Sequence, residues 1–392
     1  MSDGTVPTGA TMSTQLPVAV DAMGADFGPA VVVEGAVAAA RQLNLSSIIV
    51  GDEEQIRARL KSLNAEADTR ISVRNATQVV TMDDSPSTVM RKKPDASIRV
   101  AFELVKQKVA SGVVSPGNTG AVMAAGIFVA GTAPGIVRPA IASLIPKSGP
   151  LTPTVLLDSG ANIGCNANQL VQFALMGNYY ARTAISCERP RIALLSNGTE
   201  LSKGTDIIRS AAQLLGEMKE LNFVGYVEGR DICRDVADVV VCDGFVGNVL
   251  LKAMEGTVEL VFDSIKHYIE GSLRGKIGMG LAKPMFKMLF REKLDPSSYG
   301  GAPLLGLNEI AIICHGSSNS RAIMNAIRVA QKSASQNLAS ELCAALTAFD
   351  MRTPGTYDDG IWNRMGQRFE KRSKSAAVAN DPSDPSNKEE SK

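Results

Sequence analysis

Histidine is scarce in this chain of 392 residues: only His267 and His315 occur, too few for a histidine-built metal centre. The six cysteines, Cys165, Cys187, Cys233, Cys242, Cys314 and Cys343, are widely spaced and form no C-x-x-C pair. A zinc ribbon or a dense disulfide framework is therefore not expected, and reduced thiols in a cytosol fit better. No run of about 18 uncharged apolar residues appears, so no transmembrane helix is expected. Residues 1–16 are polar and lack the apolar stretch of a signal peptide. Charge of one sign is also missing: 41 basic residues face 40 acidic ones, a net charge of +1. There is no global basic field to attract nucleic acid.

Three familiar motifs are absent as well. The turn Met23-Gly24-Ala25-Asp26-Phe27-Gly28-Pro29 does not supply the G-x-G-x-x-G of a dinucleotide site, and no P-loop occurs. No G-x-S-x-G elbow offers an acyl-serine route.

What is present is a globular composition, 45% hydrophobic and 21% charged, which rules out a wholly disordered chain. Short apolar runs alternate with helical stretches. Val18-Ala19-Val20 precedes a helix over 30–43, and Ile48-Ile49-Val50 precedes one over 53–63. Further strands are expected at 113–114, 154–158, 191–195, 236–242 and 310–314, with helices over 96–110, 121–130, 169–184 and 319–348. That order implies parallel pairing and an α/β fold. The tail from about Lys371 is polar and reads as disordered.

Five apolar runs end in a polar loop that carries glycine: 115–120, 158–162, 196–203, 243–248 and 315–318. In an open parallel sheet such loops share one edge, beyond the carboxyl ends of the strands, where ligands bind. Tight turns alone also explain glycine in any one of them.

Read together, these loops resemble the bacterial phosphate acyltransferase family (PlsX). The matching stretches include Val20-Asp21-Ala22-Met23-Gly24-Ala25-Asp26, Gly117-Asn118-Thr119-Gly120, Gly135-Ile136-Val137-Arg138-Pro139 and Asp158-Ser159-Gly160-Ala161-Asn162. They continue with Asp243-Gly244-Phe245-Val246-Gly247-Asn248, Gly300-Gly301-Ala302-Pro303 and His315-Gly316-Ser317-Ser318. The resemblance spans about residues 17–350. Ala25 stands where the family usually has a second glycine, and Pro116 where it has a small alanine. Pro116 biases Ser115 toward an extended conformation.

The resemblance implies a Rossmann-like three-layer α/β/α fold with a mostly parallel sheet and a protruding helical arm. It implies transfer of a fatty acyl group from acyl-[acyl-carrier-protein] to inorganic phosphate, giving acyl phosphate for phospholipid synthesis. It also implies a homodimer, no cofactor, and a cytoplasmic enzyme loosely held at the inner membrane face, near the downstream glycerol-3-phosphate acyltransferase. The domain reading that follows is a 1–16 disordered N-terminal segment, a 17–350 α/β catalytic domain that includes the 273–294 arm, a 351–370 C-terminal extension and a 371–392 disordered tail. Two alternatives stand beside it: a short-chain enzyme using coenzyme A thioesters, and a non-catalytic acyl-binding scaffold.

For phosphate attack on a thioester, three groups are expected to be catalytic. Lys203 offers a point charge for phosphate or the oxyanion. Asn248 offers a neutral amide donor, and His315 a donor or proton carrier. The alternatives are a solvated lysine, a helix cap and a buried, satisfied histidine. Backbone N–H groups of Gly117, Asn118, Thr119 and Gly120 suit an anion without metal. Arg138, Asp158, Asn162 and Asp243 are expected to bind phosphate or substrate, the alternative being that they brace their own loops.

A separate basic and apolar stretch, 273–294, reads as two short helices or a hairpin, because Gly275, Gly278, Gly280 and Pro284 interrupt it. Lys283, Phe286, Lys287, Leu289 and Phe290 suit an anionic membrane surface or an acidic carrier protein. A helical arm buried in a dimer is the alternative.

Overall fold

The computed structural model describes residues 15–81, 84, 91–149, 152–289 and 296–350. The expected N-terminal segment (apart from Gln15 and Leu16), the 351–370 extension, the 371–392 tail and Phe290 lie outside them.

Eleven strands form one sheet: β1 (Val18–Asp21), β2 (Ser47–Gly51), β3 (Ile71–Asn75), β4 (Val113–Ser115), β5 (Ala140–Ile145), β6 (Thr154–Leu157), β7 (Arg191–Leu195), β8 (Asn222–Val227), β9 (Val239–Val241), β10 (Ala302–Leu305) and β11 (Ala311–Ile313). Their order is β3-β2-β1-β4-β11-β10-β5-β6-β9-β7-β8. β1, β6 and β9 are buried along their whole length. Helices cover both faces of a parallel sheet, which is why such strands read as unbroken apolar runs.

The helices are α1 (Pro29–Leu43), α2 (Glu53–Ser62), α3 (Ser97–Lys106), α4 (Thr119–Ala125), α5 (Ala167–Ala184), α6 (Asp206–Glu217), α7 (Gly244–Glu270), α8 (Leu273–Leu289), α9 (Ser320–Ser335) and α10 (Leu338–Asp350). The layers are α/β/α, as expected. α4 continues as a π-helical turn over Gly126–Ala130. The single helix read over 319–348 is two, because Asn337 turns left-handed at φ 50°.

One expectation fails. β3, β2, β1, β4 and β11 run parallel to one another, and so do β6, β9, β7 and β8. Between the blocks, β10 pairs antiparallel with β11 and β5, and β5 pairs antiparallel with β6. Three reversals leave the two blocks pointing in opposite directions. The five glycine loops therefore divide between opposite edges of the sheet. Loops 115–120 and 315–318 lie at one edge, and loops 158–162, 196–203 and 243–248 at the other.

The arm also differs from its expectation. It begins at Gly244, not Leu273, and α8 is one helix with Pro284 inside it. α7 meets the body through Leu250, Leu251 and Met254 near its start, and a turn at Gly271 and Ser272 joins it to α8.

Candidate active site

β6, β9 and β7 lie side by side, so the loops that leave their carboxyl ends are neighbours. Asp158 opens the first loop and organises it. Its side chain is fully buried. Oδ1 accepts from the N–H groups of Ile141, Gly160 and Ala161, and Oδ2 accepts from the Asn162 N–H at 2.7 Å and from Asn162 Nδ2 at 2.8 Å. Burial pushes its carboxyl above the usual range, against the opposing pull of those donors. Asn162 Nδ2 also donates to the Pro139 carbonyl at 2.9 Å, which ties this loop to Arg138. The side-chain oxygen of Asn162, Oδ1, is buried without a partner among the described residues.

α7 starts against this loop. Asp243 caps the helix: one oxygen accepts from the Phe245 N–H and the other from the Cys165 N–H, both at 2.8 Å. Burial raises the Asp243 carboxyl, but these donors outweigh it and hold it below the usual range. The approach admits no side chain at Gly247, where a Cβ would lie 1.9 Å from the Asp158 carbonyl oxygen. Any larger residue forces helix and loop apart. The next residue, Asn248, is exposed at the surface, and a Cβ on Gly160 would meet its Cβ at 3.5 Å. The third loop carries Lys203, which is exposed with its stem over Gly198. Arg138 is half-buried, and neither it nor Lys203 forms an ion pair among the described residues.

Two thiols sit behind the loops. Cys242 is buried, with Sγ 3.4 Å from the Asp158 carbonyl oxygen. Burial pushes the Cys242 thiol well up, and pushes that of Cys165 to about 12. Groups held so firmly protonated are poor nucleophiles.

Structure and sequence reading part over the remaining candidates. His315, Gly117, Asn118, Thr119 and Gly120 lie at the opposite edge, and β11 is four positions from β9 in the sheet. Lys203 and Asn248 are brought to one edge; His315 is not brought to them. Around Gly117 the polar groups satisfy one another. Asp21 is buried and accepts from Ser97 Oγ and Ser115 Oγ, both at 2.7 Å. Gly117 N–H donates to Ser115 Oγ, and Asn118 caps α4 through Ala121 N–H. Ser115 is the extended last residue of β4, as Pro116 requires. His315 Nδ1 accepts from the Ser317 N–H at 3.2 Å and faces Ser317 Oγ at 2.7 Å, which leaves Nε2 as its outward nitrogen.

Sequence reasoning missed Gln172 in α5. Its amide donates to the Gly135 carbonyl at 2.6 Å and accepts from the Val137 N–H at 3.2 Å, bracing the segment that leads to Arg138. An amide between the apolar residues Val171 and Phe173 was its signal, and periodicity assigns such a position to the core.

The chain matches the model of a family described as fatty acid synthesis protein over residues 16–341. It is 49% identical over 350 residues to a phosphate acyltransferase of Syntrophotalea carbinolica, covering 89% of this chain and 99% of the relative. It is 48% identical over 336 residues to a phosphate acyltransferase of Geobacter sulfurreducens, covering 85% and 96%. Among solved structures, a phosphotransacetylase from Streptococcus pyogenes aligns with a TM-score of 0.55 at 21% identity, over 82% of this chain and 94% of that one. That likeness bears on the fold alone.

Proposed function

The chain belongs to the bacterial phosphate acyltransferase family, an acyltransferase of lipid synthesis, and from that premise we propose that it moves a fatty acyl group from acyl-[acyl-carrier-protein] to inorganic phosphate. What supports this reading is that the loops carrying Lys203 and Asn248 leave neighbouring strands beside the loop that Asp158 holds, with Arg138 next to the Pro139 carbonyl that Asn162 binds. Two cationic side chains and a neutral amide donor suit a dianion attacking a carbonyl.

In this reading Arg138 and Lys203 hold hydrogen phosphate. The loop N–H groups do not, since Asp158 already takes those of Gly160, Ala161 and Asn162. A phosphate oxygen attacks the thioester carbonyl carbon, and the Asn248 amide donates to the oxygen on which charge gathers. The C–S bond breaks, an acyl phosphate forms, and the departing thiolate takes the proton that hydrogen phosphate gives up. No acyl-enzyme is needed, which agrees with the protonated state of Cys242 and Cys165. Asp158 and Asp243 position the loops, and Asn162 ties the Asp158 loop to the Pro139 carbonyl.

Homodimerisation, attachment to the inner membrane face and hand-over to a glycerol-3-phosphate acyltransferase belong to the same proposal. Their support is the exposed apolar and basic face of the arm; no helix among the described residues is long and apolar enough to cross a membrane.

The test is thiol release from palmitoyl-[acyl-carrier-protein] with and without phosphate. Release that requires phosphate, with acyl phosphate seen by mass spectrometry, is the expected result. Release independent of phosphate indicates a thioesterase, and no release from a folded sample indicates a binding scaffold. Release only from coenzyme A thioesters indicates the short-chain enzyme.

A further inference from the structure

The three loops that carry the polar candidates also leave large apolar side chains in water. Ile163, beside Asn162, is 75% exposed, and Leu201, two residues before Lys203, is 84% exposed. Phe245 and Val249 flank Asn248 in the first turns of α7 and are 59% and 54% exposed. α7 reaches the core through Leu250, Leu251 and Met254, so Phe245 and Val249 are not spent on that contact. Apolar side chains scattered singly over a surface need no explanation. Here each of three neighbouring loops supplies at least one, within three residues of a polar candidate. The segment holding Ile163 is pinned to the start of α7 by the bond from the Cys165 N–H to Asp243, and the Leu201 loop follows β7, the strand next to β9.

We infer that Ile163, Leu201, Phe245 and Val249 form the acyl-chain rest of this site and set its preference for long chains. The inference rests on the acyl-transfer reading above and specifies the substrate end that the reading leaves open. The carbonyl needs Asn248 and phosphate on its polar side, while the chain attached to it needs apolar cover. Each methylene removed from water favours binding by roughly fourfold, so a few exposed side chains beside the carbonyl separate a long acyl group from a short one. The same cover keeps water from the carbonyl, which favours phosphate as the acceptor.

The experiment measures kcat/KM with saturating phosphate for palmitoyl- and butyryl-[acyl-carrier-protein]. The proteins are the full chain, L201S, the double variant I163S/F245S, and L201F. The palmitoyl-to-butyryl ratio is expected to fall about tenfold in the double variant and by a smaller factor in L201S, through palmitoyl KM. L201F is expected to keep the wild-type ratio. A ratio that stays constant, or equal losses for both donors, overturns the inference. Equal losses accompanied by a change in mass by light scattering would make this face an interface between copies instead. The two readings fail separately: phosphate-dependent release by the wild type with an unmoved ratio removes only the acyl rest. A wild type that releases thiol from neither donor removes both.

Discussion

Asp238 shows how far a single carboxylate in this protein depends on its partners. It is buried at the start of β9. It accepts from Lys147 Nζ at 2.7 Å, and from Arg191 through Nε and the backbone N–H, each at 2.9 Å. Lys147 is itself buried, with Asp235 as its second partner at 3.2 Å. Burial raises the Asp238 carboxyl, but the bonds from Arg191 and Lys147 outweigh it and hold it far below the usual range. A depressed carboxylate contributes stability above its unfolded pKa of about 3.9, and that contribution is lost as pH falls through the folded value. The variant D238N leaves a buried ammonium with one acid fewer, and is expected to cost roughly 3 kcal/mol at pH 7. Urea unfolding at pH 7, 4 and 3 checks both points. The gap between wild type and variant should narrow from pH 4 to pH 3, and a constant gap would place the stabilisation elsewhere. This network lies at the amino ends of the strands, away from the candidate site, so it supports the scaffold rather than the chemistry.

At the scale of elements, the strands with both faces covered were legible. Ile48-Ile49-Val50, Ile192-Ala193-Leu194-Leu195 and Val239-Val240-Val241 are apolar throughout, and the structure places strands there. β3 and β8 were not legible, because each is an edge strand whose residues, such as Arg74 and Asn222, alternate or face water. β10 was hidden by Pro303, a residue that argues against a central strand. The arm was only half legible. Its basic and apolar content was evident, but its start at Gly244 was not, since α7 makes few contacts that would impose a pattern. In α8, Leu273, Ile277, Leu281 and Met285 recur every fourth residue and are all strongly exposed, with Arg274, Lys276, Lys283 and Lys287 beside them. Helical spacing of this kind suits a surface of anionic lipid. Vesicles of phosphatidylglycerol should carry the wild type upward in a flotation gradient and leave L281E/M285E in the load fraction. Equal flotation would return the arm to a dimer contact or a carrier-protein dock.

For the molecule as a whole, the family and the layered α/β/α architecture could be read from the ordered motifs, whereas the division of the site could not. Asp158, Asn162, Lys203 and Asn248 and the group Gly117 to Gly120 with His315 have the same local signature, an apolar run followed by a polar glycine loop. Only the antiparallel pair β5 and β10 tells the two groups apart, by reversing the sheet between them. That reversal depends on long-range pairing of two strands with no helix between their partners, which local pattern does not encode. In the proposed reaction the chemistry belongs to the β6, β9 and β7 edge, and at the other edge Asp21 bonds Ser97 and Ser115 while His315 bonds Ser317. The most direct test compares phosphate-dependent thiol release by N248A and H315A, each checked for wild-type thermal unfolding. Loss of an oxyanion donor should lower kcat by about a hundredfold or more in N248A, while H315A should lose less than about fivefold. A hundredfold loss in H315A, with N248A close to wild type, would contradict the account and move the active site to the opposite edge of the sheet.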